Sequence, residues 1–257
     1  MRILDGGDTA LTIEFGDGIE RRWLAAVAAL DEALAQAMAE GSLPGVVETV
    51  PTLRSLTVIY DPLLTSRVVI EAVIRQALQV GTGSLRRRGQ RWQLPVCYGD
   101  QLAPAGPDLD RLATACGLTA AEVVRLHTAT TYEVYMLGFL PGFAFMGNLA
   151  PALTQPRRSE PRLRVPAGSV AVAATLTAIY PWDSPGGWHL IGLCPVPLFS
   201  AAWAQAALLQ SGDQVSFRAV DTVEYRALAA AMDAARRSSL PPHAIFADCG
   251  MLDAGSA

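Results

Sequence analysis

Tyr132-Glu133-Val134-Tyr135-Met136-Leu137-Gly138-Phe139-Leu140-Pro141-Gly142-Phe143 opens the stretch on which the fold turns. The stretch runs on through Val165-Pro166-Ala167-Gly168-Ser169-Val170, Ile179-Tyr180-Pro181 and Ser184-Pro185-Gly186-Gly187-Trp188 to Leu193. Nine of the 17 prolines lie between Pro141 and Pro197, many beside glycine. Proline fixes φ and removes a donor, whereas glycine admits φ > 0. Such punctuation excludes a helical bundle. It predicts short strands joined by tight turns, with loops and aromatic rings shaping a surface.

Outward from there, Arg91–Tyr98 reads as the first strand of this part, and strands follow at 132–137, 170–173, 177–180, 188–193 and 214–219. Many short strands between turn signals predict a barrel or sandwich. Pro107 suits the first turn of a helix that Gly117 stops. Thr119 and Glu122 form a capping box for the next helix, stapled by Leu118 and Val123 and ending near His127. A last helix spans about 222–235. Upstream, 10–15, 46–50 and 55–60 read as strands. Residues 21–40 form a helix with Leu24, Val27, Leu30, Leu34 and Met38 on one stripe. Residues 67–79 form another, with Val69, Val73 and Ala77 inward. Met1-Arg2 leads straight into a polar turn at Asp5-Gly6-Gly7-Asp8. The order β-α-β-β-α predicts a small α+β sandwich over 1–85. Gly81–Ser84 and Arg86-Arg87-Arg88 mark a boundary. A barrel domain over 86–235 and a tail over 236–257 complete the division.

Composition narrows the chemistry. The 257 residues are 51% hydrophobic and 17% charged, with net charge −4, which gives no basic field for nucleic acid. All 20 basic residues are Arg, so the chain has no Schiff-base, P-loop or biotin-carrying lysine. Cys97, Cys116, Cys194 and Cys249 lack Cys-x-x-Cys spacing, and no two histidines are spaced as zinc ligands, so no metal is expected. No signal peptide or membrane span is read, and a cytoplasmic location is the expectation.

Among individual residues, His127 stands at a helix end. A packing or helix-dipole role is the commoner one for such a residue, and a pocket acid/base the sharper one. His189 follows Trp188, facing a cavity or solvent. Arg162 lies nearest the turn cluster and is the arginine suited to grip carboxylate or phosphate as a two-pronged fork. Phe139, Pro141, Gly142 and Phe143 form a loop that packs or lines a pocket. Ser169 lacks a Gly-x-Ser-x-Gly elbow and reads as a strand-start hydroxyl. Gly186 and Gly187 imply a close approach by a backbone, ligand or partner, and Trp188 a core or pocket wall.

The chain resembles the 5-oxoprolinase subunit-B family, whose members are also known as allophanate hydrolase subunit 1 and as Kip-type kinase inhibitors. The resemblance is carried by Gly7-Asp8-x-Ala10-Leu11-x-Ile13-Glu14-Phe15-Gly16, Glu48-x-Val50-Pro51-Thr52 and Tyr60-Asp61-Pro62. It continues through Val96-Cys97-Tyr98, Leu126-His127, the Tyr132–Phe143 segment, Pro161-Arg162 to Val170, and Ser184–Gly192. It implies an N-terminal α+β domain and a cyclophilin-like β-barrel. It also implies a subunit-C-like partner with a related barrel and a subunit-A-like third protein. The implied activity opens a lactam such as 5-oxoproline at the expense of ATP with magnesium. The implied alternatives are a carboxyltransferase whose biotin sits on a partner, or a non-catalytic histidine-kinase inhibitor. On that reading His127 is a pocket acid/base or hydrogen-bond donor and Arg162 holds phosphate or carboxylate. Tyr132, Phe139, Phe143, Tyr180 and Trp188 shape a cavity or partner surface. The chain departs from the family pattern at Ala174, Leu176 and Ala178, where Gly, Gln and Gly are usual. It departs again at Leu193, where Arg is usual.

Overall fold

A computed structural model describes residues 1–79, 89–99 and 106–237. The Gly81–Ser84 turn signal, the Arg86–Arg88 run, His243, Cys249 and nearly all of the tail lie outside these residues. The chain divides into two compact units, Met1–Arg87 and Arg88–Ala257.

The first unit contains β1 (Arg2–Asp5), β2 (Ala10–Glu14), α1 (Arg21–Ala39), β3 (Val46–Pro51), β4 (Ser55–Tyr60) and α2 (Arg67–Gln79). Its strands form an antiparallel sheet in the order β1-β2-β4-β3. Alternation sends Leu11, Ile13, Leu56 and Val58 to one face, where they pack with Leu30 and Ile74 of the helices. Each such fully buried side chain contributes about 1.5–3 kcal/mol. Two expectations need correcting. The first strand, β1, is additional: only Ile3 of its four residues packs on the core, too little to show as alternation. In α2 the innermost residues are Ile70 and Ile74, with Val73 and Ala77 beside them, while Val69 faces out. The stripe is rotated by one position from the one expected.

The second unit contains β5 (Arg91–Tyr98), α3 (Leu109–Cys116), α4 (Ala120–Thr128), β6 (Tyr132–Leu137), β7 (Ala144–Gly147), β8 (Arg162–Val165), β9 (Ser169–Ala173), β10 (Leu176–Ile179), β11 (Ser184–Gly186), β12 (His189–Leu193), β13 (Gln214–Ala219) and α5 (Thr222–Arg237). Seven strands close a barrel in the order β10-β7-β6-β13-β5-β12-β9, with β9 also pairing β10. All pairs are antiparallel except β13 with β5. Closure leaves the staves no free edge. β8 and β11 form a separate two-stranded ribbon. Leu94, Val134, Val172, Ile179, Ile191 and Val215 fill the core.

Local signals act as the sequence implies. Gly117 takes φ 68° to end α3, and the Thr119–Glu122 box caps α4, with Thr119 N–H donating to Glu122 at 2.8 Å. Cys97, Cys116 and Cys194 are free thiols. Among the described residues, no helix is long and apolar enough to cross a membrane.

Candidate functional site

The site residues read from sequence fall into two groups, both in the second unit. The first is inside the barrel. His127, at the end of α4, is completely buried. Its Nδ1 is 2.7 Å from the Tyr98 hydroxyl and its Nε2 3.0 Å from the Thr177 hydroxyl. The ring stacks on Phe217 at 4.6 Å, and the Tyr132 hydroxyl donates to the His127 carbonyl at 3.1 Å. Burial pushes the His127 pKa down to about 3 and that of the Tyr132 phenol well up. The expectation of a pocket acid/base at His127 is therefore corrected. Both ring nitrogens are occupied, the ring is neutral and no face is open to substrate, so His127 is a core group. Tyr132 belongs to the same core.

The second group surrounds Asp108 and the β8–β11 ribbon. Asp108, just before α3, is 3% exposed. Its Oδ1 meets Arg111 at 3.0 Å, Arg158 at 2.9 Å and Arg162 at 2.8 Å, and its Oδ2 accepts the Leu190 N–H at 2.8 Å. Burial would raise its pKa. The Arg162 hydrogen bond, the Leu190 N–H and the charges of Arg162 and Arg158 outweigh that and hold the carboxyl below its ordinary value. Three guanidiniums on one carboxylate leave a surplus of two positive charges. Arg162 Nη1 is buried and has no acceptor. Arg158 also donates its backbone N–H to the Gly187 carbonyl at 2.8 Å, which fixes the ribbon to the preceding loop.

Aromatic rings border these arginines. Gly186 pairs with Arg162 across the ribbon, and a Cβ at Gly186 would collide with the Tyr180 hydroxyl. The close approach inferred for this glycine is thus made by a side chain of the same chain. Burial raises the Tyr180 pKa, while the Trp188 backbone and the charges of Arg157 and Arg162 pull it back. Arg157 lies 5.9 Å over the Trp188 ring. Phe143 links the cluster, edge-on to Tyr180 at 5.2 Å and to Trp188 at 5.9 Å. His189 engages the Pro156 carbonyl through Nε2 at 2.8 Å, while its Nδ1 is buried without a partner. The Ser169 and Ser184 hydroxyls are likewise buried and unpaired. A buried polar atom without a partner is costly, and several on one ribbon and its adjoining strands are the signature of a place for water or a polar ligand.

The β6–β7 connection is built from two turns. Leu140-Pro141-Gly142-Phe143 closes with Phe143 N–H to Leu140 carbonyl at 3.0 Å, with Gly142 at φ 80°. Proline then glycine is what a type II turn requires. Before it, Leu140 N–H donates to the Gly138 carbonyl at 2.9 Å around Phe139, which has φ 71°. That is a γ-turn of the rare positive-φ form, and a bulky residue held there stores about 1–3 kcal/mol of strain.

Sequence reasoning missed Asp108, Arg158, Arg157, Tyr98 and Thr177. Asp108 follows Pro107 at a helix start, where it reads as an ordinary cap. Its partners lie 50 and 54 residues away. The departures from the family pattern are buried at Leu176 and Ala178, and Ala174 adopts φ 49°.

Residues 1–209 match the family model described as "Carboxyltransferase domain, subdomain C and D". The chain belongs to this family. It is 35% identical over 231 residues to the 5-oxoprolinase subunit-B protein of Bacillus subtilis (strain 168), covering 86% of this chain and 93% of that one. It is 41% identical over 177 residues to the 5-oxoprolinase subunit-B protein of Escherichia coli O157:H7, covering 68% and 78%. The crystal structure of TTHA0988 superposes with a TM-score of 0.70 at 35% identity over 82% of this chain. That match spans 40% of the TTHA0988 chain, so the longer protein carries much that this family member does not.

Proposed function

We propose that the chain is one subunit of a heteromeric lactam-cleaving hydrolase of the 5-oxoprolinase type, working with a subunit-C-like partner and a subunit-A-like third protein. The observation that carries this reading is Arg162, anchored on Asp108 by one nitrogen and offering Nη1, buried and unfilled, beside Tyr180. The relatives that carry the 5-oxoprolinase subunit-B name support it. A 5-oxoproline-like substrate is a small ring with one carboxylate and one amide. The surplus guanidinium charge takes the carboxylate or a phosphate, and the Tyr180 and Trp188 faces border the ring. Burial strengthens such a charged hydrogen bond and excludes competing water.

An unactivated lactam is a poor electrophile, so a phosphoryl donor belongs to the complex. The described residues do not fit ATP with magnesium. The sequence has no lysine to reach phosphates, and among the described residues no cluster of three carboxylate, histidine or cysteine side chains is placed for a cation. We assign the nucleotide to a partner and route no step of this chain through it. A second reading, transfer of a carboxyl group from biotin on a partner, is favoured by the family description. Purified with a subunit-C-like polypeptide and a subunit-A-like protein, the complex is expected to hydrolyse ATP only when 5-oxoproline is present. ATP turnover independent of the lactam, or activity blocked by avidin, overturns the first reading. The avidin result supports the second.

A further inference from the structure

The β6–β7 loop holds an aromatic ring in the open at the cost of backbone strain. Phe139 sits in its positive-φ turn with 63% of its surface exposed. Glycine at this position would relieve the strain, so the ring itself has a use. Beside it Trp182, 43% exposed, is pinned by donating its indole N–H to the Pro141 carbonyl at 2.9 Å. Phe199 stacks edge-on to Trp182 at 6.0 Å, and Gly142 presses against Phe199 so closely that a Cβ there would lie 2.7 Å from its Cβ. The rings therefore form one fixed platform. Asp183, which pairs with Arg164 at 2.6 Å, gives that platform a charged border. An aromatic centre inside a polar border is the anatomy of a protein–protein interface.

The platform is continuous with the arginine site. Phe143 lies beneath it, 5.5 Å from Phe139, and reaches Tyr180 and Trp188 on its other side. A chain seated on Phe139 and Trp182 thus borders Arg162.

We infer that Phe139 and Trp182 are the anchors on which the polypeptide supplying the rest of the carboxyltransferase-type domain docks, closing the Arg162 site from outside. The inference rests on the subunit reading above. The occupant follows from the family model, which assigns to this chain only subdomains C and D. It follows also from TTHA0988, in which the matched part is 40% of a single longer chain. Where the remainder is a separate polypeptide, it needs a contact surface on this one. A fixed aromatic platform beside an incomplete site fits that need.

The test measures affinity between this full chain and a separately purified subunit-C-like polypeptide by isothermal titration calorimetry. Phe139→Gly removes the ring and relieves the strained turn, so it keeps or raises thermal stability, and Trp182→Ala removes the second anchor. Val223→Asp, at an exposed apolar position of α5, is the control. Each anchor variant is expected to bind at least about tenfold more weakly, the usual effect of truncating an interface anchor, with the control unchanged. Wild-type binding that Phe139→Gly and Trp182→Ala leave within about twofold overturns the surface alone. Absence of wild-type binding overturns the surface and the subunit reading together.

Discussion

The 3.0 Å hydrogen bond between His127 and Thr177 has a fixed direction. The Thr177 hydroxyl donates to the Ala171 carbonyl at 3.0 Å, so it accepts from His127 Nε2–H. Nδ1 is then the acceptor, and the Tyr98 hydroxyl donates to it at 2.7 Å. This network assigns one neutral tautomer and ties α4 to three barrel strands.

Acid destabilises this arrangement. The folded His127 value of about 3 lies below the unfolded value near 6.5, so the unfolded chain takes the proton first as pH falls. Stability from this group is intact above about pH 6.5 and falls by about 1.4 kcal/mol per unit between there and about 3. Urea midpoints measured from pH 7.5 down to 5 should drop more steeply in wild type than in His127→Gln. Equal slopes would place the acid sensitivity elsewhere.

Ala174 stands at φ 49° in the connection between β9 and β10, donating its N–H to the Gln155 carbonyl at 2.6 Å. The left-handed region costs an alanine about 1–2 kcal/mol, and glycine's extra unfolded freedom offsets part of that. Ala174→Gly is expected to raise unfolding stability by about 0.5–1 kcal/mol. A lower denaturation midpoint in the variant contradicts the argument.

Asp108 is the sole carboxylate joining Arg111, Arg158 and Arg162 to one another among the described residues. Asp108→Asn leaves an acceptor for Leu190 but removes the charge that the guanidiniums share. Loss of one partner from a buried ion cluster costs about 3–5 kcal/mol. Equilibrium unfolding should show a loss at the lower end of that range, since the arginines retain some solvent. A change under about 1 kcal/mol would mean that the arginines are held by other contacts.

Arg162 is expected to act as a fork and not as a point charge. Arg162→Lys keeps the charge yet cannot hold Asp108 and a ligand together, so it should weaken 5-oxoproline binding to the assembled complex nearly as much as Arg162→Gln. The expected loss is about 1.5–3 kcal/mol, or roughly 10- to 100-fold. Full affinity in the lysine variant would reduce the role of Arg162 to its charge.

Local chemistry was legible in the sequence, and long-range pairing was not. The Thr119–Glu122 cap, the Gly117 stop and the Pro141-Gly142 turn each depend on residues within a few positions. β7, β8 and β11 have three or four residues and no alternation to reveal them. The ribbon of β8 and β11, which carries Arg162 and Gly186, was therefore invisible. Arg162 and Trp188 stood out by residue type, but the carboxylate that organises the arginines is remote in sequence. His127 was ambiguous because a ring in a core and a ring in a pocket carry the same letter. Only its enclosure by Tyr98, Thr177 and Phe217 separates them.

The position of β13 bears on the chain's biogenesis. It is the stave that joins β5 to β6, yet it is the last strand made. On the ribosome, the hydrogen-bonding rims of β5 and β6 must wait unzipped until Ala219 has emerged, while the first unit is already complete. That interval exposes two sticky rims to neighbouring nascent chains. Chaperone capture during synthesis should therefore concentrate on intermediates whose growing end has not yet passed this strand.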